Sequence, residues 1–254
     1  MSYETIQYDV DGEIGILTYN RPRVVNAINT LMTTELIEFW RERKNDASVK
    51  VIITRGAGEK GFCSGADLKE GEAPWSEGNM IHERLYAMQE RFSQVCALMR
   101  DCPQPIIAAV HGPAMGGGLC FALAGDIRLA STDAMFCAQY INIGVGGVAM
   151  GLSYFLWRII GWGKAAEMCL TGNRVYAEEA LRIGLVNYVY PREELMPAAI
   201  RMAEKMVSKN RMPLKLTKEA LNSALNGTSL EDAQKMENRN QAFLSMSLLG
   251  DRGE

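Results

Sequence analysis

Two glycine-bearing segments of this chain have the residue types to present backbone amides to another molecule. The first, Pro113-Ala114-Met115-Gly116-Gly117-Gly118-Leu119-Cys120, follows the apolar run Ile106 to Val110. Three consecutive glycines leave a turn without side chains, so a foreign carbonyl can approach the N–H groups that open the following helix, where the helix dipole favours negative charge. That is the outline of an oxyanion site, although glycine triplets also serve as ordinary tight turns. The second, Phe62-Cys63-Ser64-Gly65-Ala66-Asp67-Leu68-Lys69, follows the strand-like run Val49 to Thr54 and the turn Arg55-Gly56-Ala57-Gly58. Each segment can supply one amide from beyond the end of a strand.

The elements that must position them alternate. Asp11 to Tyr19, Lys50 to Thr54, Pro105 to Val110, Asp126 to Ala130 and Leu185 to Tyr190 read as short strands rich in Ile and Val. Between them, Thr33 to Lys44 and residues 81–100 space Leu36, Phe39, Trp40, Leu85, Met88, Phe92, Val95 and Met99 as helices do. From Glu193 onward the pattern is helical over Leu195 to Ser208, Pro213 to Leu225 and Ser229 to Leu248, the last opening on the capping box Ser229-Leu230-Glu231-Asp232. The segment from Gly71 to Asn79 has the small and polar make-up of a lid or of an exposed connection.

Composition bounds the function. With 254 residues, 48% apolar and 22% charged, the chain can bury a large core. A net charge of −3 and the lack of a basic stripe argue against nucleic acid. No signal-like N-terminus and no apolar stretch of about eighteen residues is present, so a cytoplasmic protein without membrane contact is expected. Cys63, Cys96, Cys102, Cys120, Cys137 and Cys169 form no C-x-x-C pair and are accompanied only by His82 and His111, which argues against a zinc site and for reduced, packed thiols.

Together with Tyr19-Asn20-Arg21-Pro22 and Asn26-Ala27-Ile28, the two amide segments resemble the crotonase, or enoyl-CoA hydratase/isomerase, superfamily. The resemblance continues in order through Phe136 to Gly144, Leu170-Thr171-Gly172, Ala177-Glu178-Glu179-Ala180 and Gly184-Leu185-Val186. It implies an α/β fold, the β-β-α spiral, over residues 1–192, followed by a helical region over 193–254 that packs against neighbouring subunits of a homotrimer or a hexamer. It further implies an acyl-CoA thioester substrate, with coenzyme A arriving as part of that substrate and no separate cofactor. The oxyanion donors would be the amides of Ala66 and Gly117. The CoA and acyl moieties would lie along Arg23, Val25, Ala27, Ser64, Asp67, Leu68, Lys69, Met115, Gly116 and Gly118. Arg23 or Lys69 could meet phosphate, or simply be solvated. Met115, Phe136, Ile141, Val145 and Val148 would suit a greasy acyl pocket or ordinary core packing.

The chain departs from the family at the acid–base positions. Hydratases carry one glutamate just after the triple glycine and a second shortly after the next phenylalanine; the matching residues here are Cys120 and Tyr140. A thiol of pKa about 8.5 and a phenol of about 10 are poor substitutes for two carboxylates that share a water. The single-glutamate isomerases use the second position, so their base is absent too. The run Tyr140 to Val145 is similar to the 4-chlorobenzoyl-CoA dehalogenase branch, yet that branch's nucleophilic aspartate would fall near Val148 or Ala149. Tyr140 could donate a proton or hold a leaving carboxylate, or be a half-buried ring. Cys120, near a helix N-terminus, could be a nucleophile of depressed pKa or fill core space. His82 could be a near-neutral base or a surface residue, while packing is favoured for His111, and Asp67, Asp126 and Glu167 are expected in structural roles. Three readings stay open: enolate chemistry altered towards decarboxylation or C–C hydrolysis, true hydration or isomerisation with another acid–base group, and an acyl-CoA-binding subunit without turnover.

Overall fold

The computed structural model describes residues 3–69, 81–145, 148–227 and 229–250, with the side chains of 81–85 and 245–250 outside that description. The expected lid, Gly71 to Asn79, and the His82 side chain therefore lie outside the described residues.

Chain order is β1 (Ile6–Asp11), β2 (Ile14–Tyr19), α1 (Thr30–Arg43), β3 (Val51–Gly56), α2 (Ile81–Asp101), β4 (Ile106–Val110), β5 (Pro113–Met115), α3 (Gly117–Ala124), β6 (Ile127–Ser131) and β7 (Met135–Cys137). Then follow α4 (Leu152–Ile160), α5 (Trp162–Thr171), β8 (Val175–Tyr176), α6 (Ala177–Arg182), β9 (Tyr188–Tyr190), α7 (Arg192–Val207), α8 (Arg211–Leu225) and α9 (Leu230–Gly250). The main sheet runs β1-β2-β3-β4-β6-β9, antiparallel only at β1–β2, and a small sheet runs β5-β7-β8. Successive turns of the chain thus place one strand in the main sheet and a short one in the small sheet, the expected β-β-α spiral. The first turn joins this scheme through an isolated bridge between Cys63 and Ala114.

The continuous apolar strands are explained by burial on both faces, as parallel sheets require. Alternate residues such as Ile52, Ile106 and Ala108 face the layer of α1, α2 and α3, where Phe39, Trp40 and Phe121 are buried; each such side chain is worth about 2 kcal/mol of burial. Ile53, Ile107 and Leu129 face the other way, onto Leu195, Ala198, Ala199 and Ala203 of α7.

Two expectations are corrected. The run Asp11 to Tyr19 is not one strand, because Gly12 (φ +56°) turns the chain between β1 and β2. The strand expected over Leu185 to Tyr190 shortens to β9, since Leu185 and Val186 close back onto the Ala180 carbonyl. Past residue 192, α7 lays Leu195, Ala198, Ala199 and Ala203 on the main sheet and so completes the second core layer. Ser229 does cap α9, its Oγ accepting the Asp232 N–H at 3.1 Å.

Candidate active site

Both glycine-bearing segments converge beyond the carboxyl ends of β3 and β4. Gly116 holds φ +50° and ψ −116°, open to glycine, and opens α3 while donating its N–H to the Cys137 carbonyl at 2.9 Å. A Cβ on Gly118 would overlap the Cys63 carbonyl, so α3 lies directly against the backbone of the second segment. A Cβ on Gly65 would stand 3.4 Å from the Gly117 nitrogen, which brings the Gly65–Ala66 peptide beside the start of α3.

The direction of each amide follows from peptide planarity, which sets C=O and N–H of one unit antiparallel. Ile28 donates its N–H to the Gly65 carbonyl at 2.8 Å and accepts from Asp67 N at 2.9 Å, so the Ala66 N–H faces away from Ile28. The Gly116 carbonyl accepts from Cys120 N at 3.1 Å inside the first turn of α3, so the Gly117 N–H projects out of the helix start. Neither the Ala66 nor the Gly117 amide has an acceptor among the described residues, and Ala66 is exposed. Two unpartnered donors beside one another can hold an oxygen on which negative charge develops.

Tyr140 stands over the first turn of α3: a Cβ on Gly116 would lie 3.9 Å from its Cζ. Its hydroxyl is 3.4 Å from the Cys120 Sγ, which also lies 3.5 Å from the Ala149 carbonyl. Burial pushes the Cys120 thiol up to about 12, partly opposed by its contact with Tyr140, so the depressed pKa expected at a helix N-terminus is not found. Cys120 is fully buried, and as a neutral thiol it is no nucleophile at neutral pH. Burial, and then the neighbouring Cys120, push the Tyr140 phenol well above its ordinary range. Among the described residues the other ionisable groups that bear on it are Cys96 and Cys63, so Cys120 and Tyr140 form a neutral pair of hydrogen-bond formers.

The remaining expected residues separate into braces and an open rim. Asp67 pairs with Arg21 at 2.9 Å and accepts from Lys69 N at 3.2 Å. Ser64 donates its hydroxyl to the Val24 carbonyl at 3.1 Å, and its N–H to Val25 O at 2.9 Å. Val25 is held at φ +54°, a costly conformation for a β-branched residue, and Ala27 is buried. Arg23, Leu68 and Lys69 are exposed, and Met115 is half-buried. Of the expected acyl pocket, Phe136 belongs to the core, whereas Ile141, Val145 and Val148 are exposed. His111 packs with Nε2 3.0 Å from the Gly58 carbonyl, and burial lowers its pKa. Asp126 is tied to Arg100 and Lys218, and Glu167 to Lys164 on the surface. Among the described residues no group of three or more His, Cys, Asp or Glu is arranged to hold a metal ion.

In the sequence Arg21 and Asn26 stand out only as parts of a motif. Asn26, fully buried at φ +55°, accepts from Arg21 N at 2.9 Å and donates to the carbonyls of Ala57, Gly61 and Phe62 at 3.0, 2.9 and 3.2 Å. It locks the loop before α1 to the turn after β3. A polar residue amid apolar neighbours, just before Ala27-Ile28, is the only sequence signal of that role.

The enoyl-CoA hydratase/isomerase family matches residues 9–247. A probable enoyl-CoA hydratase (echA12) of Mycobacterium bovis is 43% identical over 237 residues, 92% of this chain and 82% of the relative. The short-chain-enoyl-CoA hydratase of Clostridium acetobutylicum is 36% identical over 225 residues, 89% of this chain and 84% of the relative. A crystal structure of a probable enoyl-CoA hydratase/isomerase from Mycobacterium abscessus superposes with a TM-score of 0.88 at 36% identity, covering 96% of this chain and 91% of that one. No helix among the described residues is long and apolar enough to cross a membrane. On fold, chain order and these matches, the chain belongs to the enoyl-CoA hydratase/isomerase family of the crotonase superfamily.

Proposed function

We propose that this chain is an acyl-CoA enzyme in which the Ala66 and Gly117 amides hold a thioester oxygen as it becomes an enolate, and in which no carboxylate pair activates water. The observation that carries this reading is the Cys120–Tyr140 contact at 3.4 Å, two neutral groups where family hydratases hold glutamates. A thioester that carries a carboxylate on its α-carbon, as malonyl-type thioesters do, suits such a site. Its C–C bond breaks, CO2 leaves, the electron pair passes to the thioester oxygen between the two amides, and a proton then reaches the α-carbon. The step needs an oxyanion site but no strong base, and the Tyr140 hydroxyl, kept protonated by burial, can hydrogen-bond the departing carboxylate. C–C hydrolysis of a thioester is the related alternative. The exposed rim of Arg23, Leu68 and Lys69 is where the CoA moiety would lie. Exposed Trp162 and Leu170 support contacts with further copies in a trimer or hexamer.

The names of the relatives favour a second reading, hydration of an enoyl-CoA with water held by Tyr140. Crotonyl-CoA absorbance and CO2 release from malonyl-type thioesters, measured on one sample beside acetyl-CoA binding, separate the two. Decarboxylation without hydration is the expected result, with Tyr140→Phe about tenfold slower at unchanged thioester affinity. Hydration at ordinary enzymatic rates overturns the altered chemistry, and tight binding without turnover of either substrate, or of cyclic keto and aryl thioesters, assigns a binding subunit.

A further inference from the structure

The Ala66 amide is the last member of a chain of hydrogen bonds that begins at a cation. Arg21 Nη1 donates to the Ala27 carbonyl at 2.6 Å. Within the Ala27–Ile28 peptide the opposite pole is the Ile28 N–H, which donates to the Gly65 carbonyl at 2.8 Å. Within the Gly65–Ala66 peptide the opposite pole is the Ala66 N–H, which has no acceptor among the described residues. The order is therefore guanidinium, peptide, peptide, open donor. The same Nη1 lies 2.9 Å from the Asp67 carboxylate, one residue beyond Ala66 in the chain, so the cation is anchored to the segment whose donor it faces through the relay. Arg21 itself is held through its backbone N–H by the buried Asn26.

We propose that Arg21 is a positioning residue that aims and polarises the Ala66 amide through these two peptide units. Hydrogen bonds in series strengthen one another, each carbonyl that accepts making the N–H of its own peptide a better donor, and a charged donor at the head of the series is the strongest source of that effect. The second donor, Gly117, needs no such device because its peptide is the first of α3, where the aligned peptides of the helix play the same part. Arg21 touches no substrate atom in this scheme. Its guanidinium is engaged by Asp67 and Ala27, which assigns it to the scaffold and not to a CoA phosphate.

The proposal rests on the reading of Ala66 as a carbonyl donor, and the test separates the two. Bound acetyl-CoA is observed by the infrared stretch of its thioester carbonyl, which moves to lower frequency when the oxygen accepts hydrogen bonds. Arg21→Gln is expected to return part of that shift and to lower kcat about tenfold with little change in KM, less than the 10²–10³ lost with a whole oxyanion donor. Arg21→Lys, which restores the charge, is expected to recover most of both. A folded Arg21→Gln protein with the carbonyl stretch and kcat of the wild type overturns the proposal. A wild-type complex with no carbonyl shift overturns the underlying reading instead. Should Arg21→Gln not fold, the wild-type protein still decides: on acetyl-CoA binding the amide protons of Ala66 and Ile28 move downfield together if the relay holds. An Ile28 amide that stays in place while Ala66 moves overturns it.

Discussion

The two amides of the candidate site are held by different kinds of structure. Gly117 belongs to a local arm: the glycines, the turn and α3 lie within one stretch of chain, and the peptide that carries its N–H is fixed by a bond to Cys120 three residues on. Ala66 belongs to a distant arm, fixed by Ile28, Arg21 and Asn26, all contributed by the loop before α1. One donor is therefore aimed by helix geometry, and the other by a network of polar side chains and strained backbone. A pair of equal donors does not require equal scaffolds. The distant arm has more residues whose loss can misdirect its amide without touching it.

Removing the donors themselves is expected to have the largest effect and to treat the arms alike. Gly117→Pro and Ala66→Pro each delete one N–H, and each should lower turnover by 10²–10³, about 3 kcal/mol of transition-state stabilisation. Gly117→Ala, which keeps the N–H but brings a Cβ within 2.8 Å of Ile28 Cδ1, controls for steric disturbance. Turnover unchanged in either folded proline variant removes that amide from the site.

The scaffolds should separate the arms more finely. Asn26→Ala strips four hydrogen bonds from a buried position and leaves a non-glycine residue in the left-handed region, so a loss of about 3 kcal/mol in stability is expected, with kcat falling as well. Gly118→Ala forces α3 off the Cys63 carbonyl and should cost about 2 kcal/mol. Denaturant melts paired with kinetics check both; an Asn26→Ala protein as active as wild type denies that the distant arm depends on this network.

The smallest effect concerns the buried thiols of the two arms, Cys63 in the segment of Ala66 and Cys120 within α3. Burial pushes both up to about 12 from an ordinary 9.0. The folded protein thus keeps protons that the unfolded chain gives up, so their contribution is intact below about pH 9 and is lost as pH rises towards 12. Melting temperature measured from pH 8 upward should fall, and more gently in Cys120→Ala. An identical alkaline profile in that variant excludes Cys120 as a contributor.

How far the sequence discloses the site follows the same division. The local arm is legible because its cause is local: three glycines between an apolar strand and an apolar helix admit few structures. The segment Phe62 to Lys69 is legible as a backbone stretch beyond a strand end, but its partners are not. Nothing in the spacing of Arg21 and Asp67 states that they meet, since the pair is made by two loops that the sheet brings together. The setting of Cys120 is hidden in the sequence for a related reason. Position near a helix N-terminus lowers a thiol pKa only where solvent or charge can reach it, and here desolvation outweighs the dipole. The short strands β5, β7 and β8 are not legible because two or three residues carry no period to read.

The seat of α7 on the far face of the main sheet sets the order in which the molecule can be completed. Ile53, Ile107 and Leu129 are made early by the ribosome, but their cover, Leu195 to Ala203, is made late. Until that segment emerges, one whole face of a parallel sheet stays open to water, so a nascent chain that already contains both amide segments still lacks the layer that holds their strands flat. Assembly of this domain is consequently a late, long-range event, of the kind that makes folding slow and exposes half-made sheets to aggregation. A chain shortened just before α7 would carry every residue of the candidate site and still be expected to expose that unfinished face.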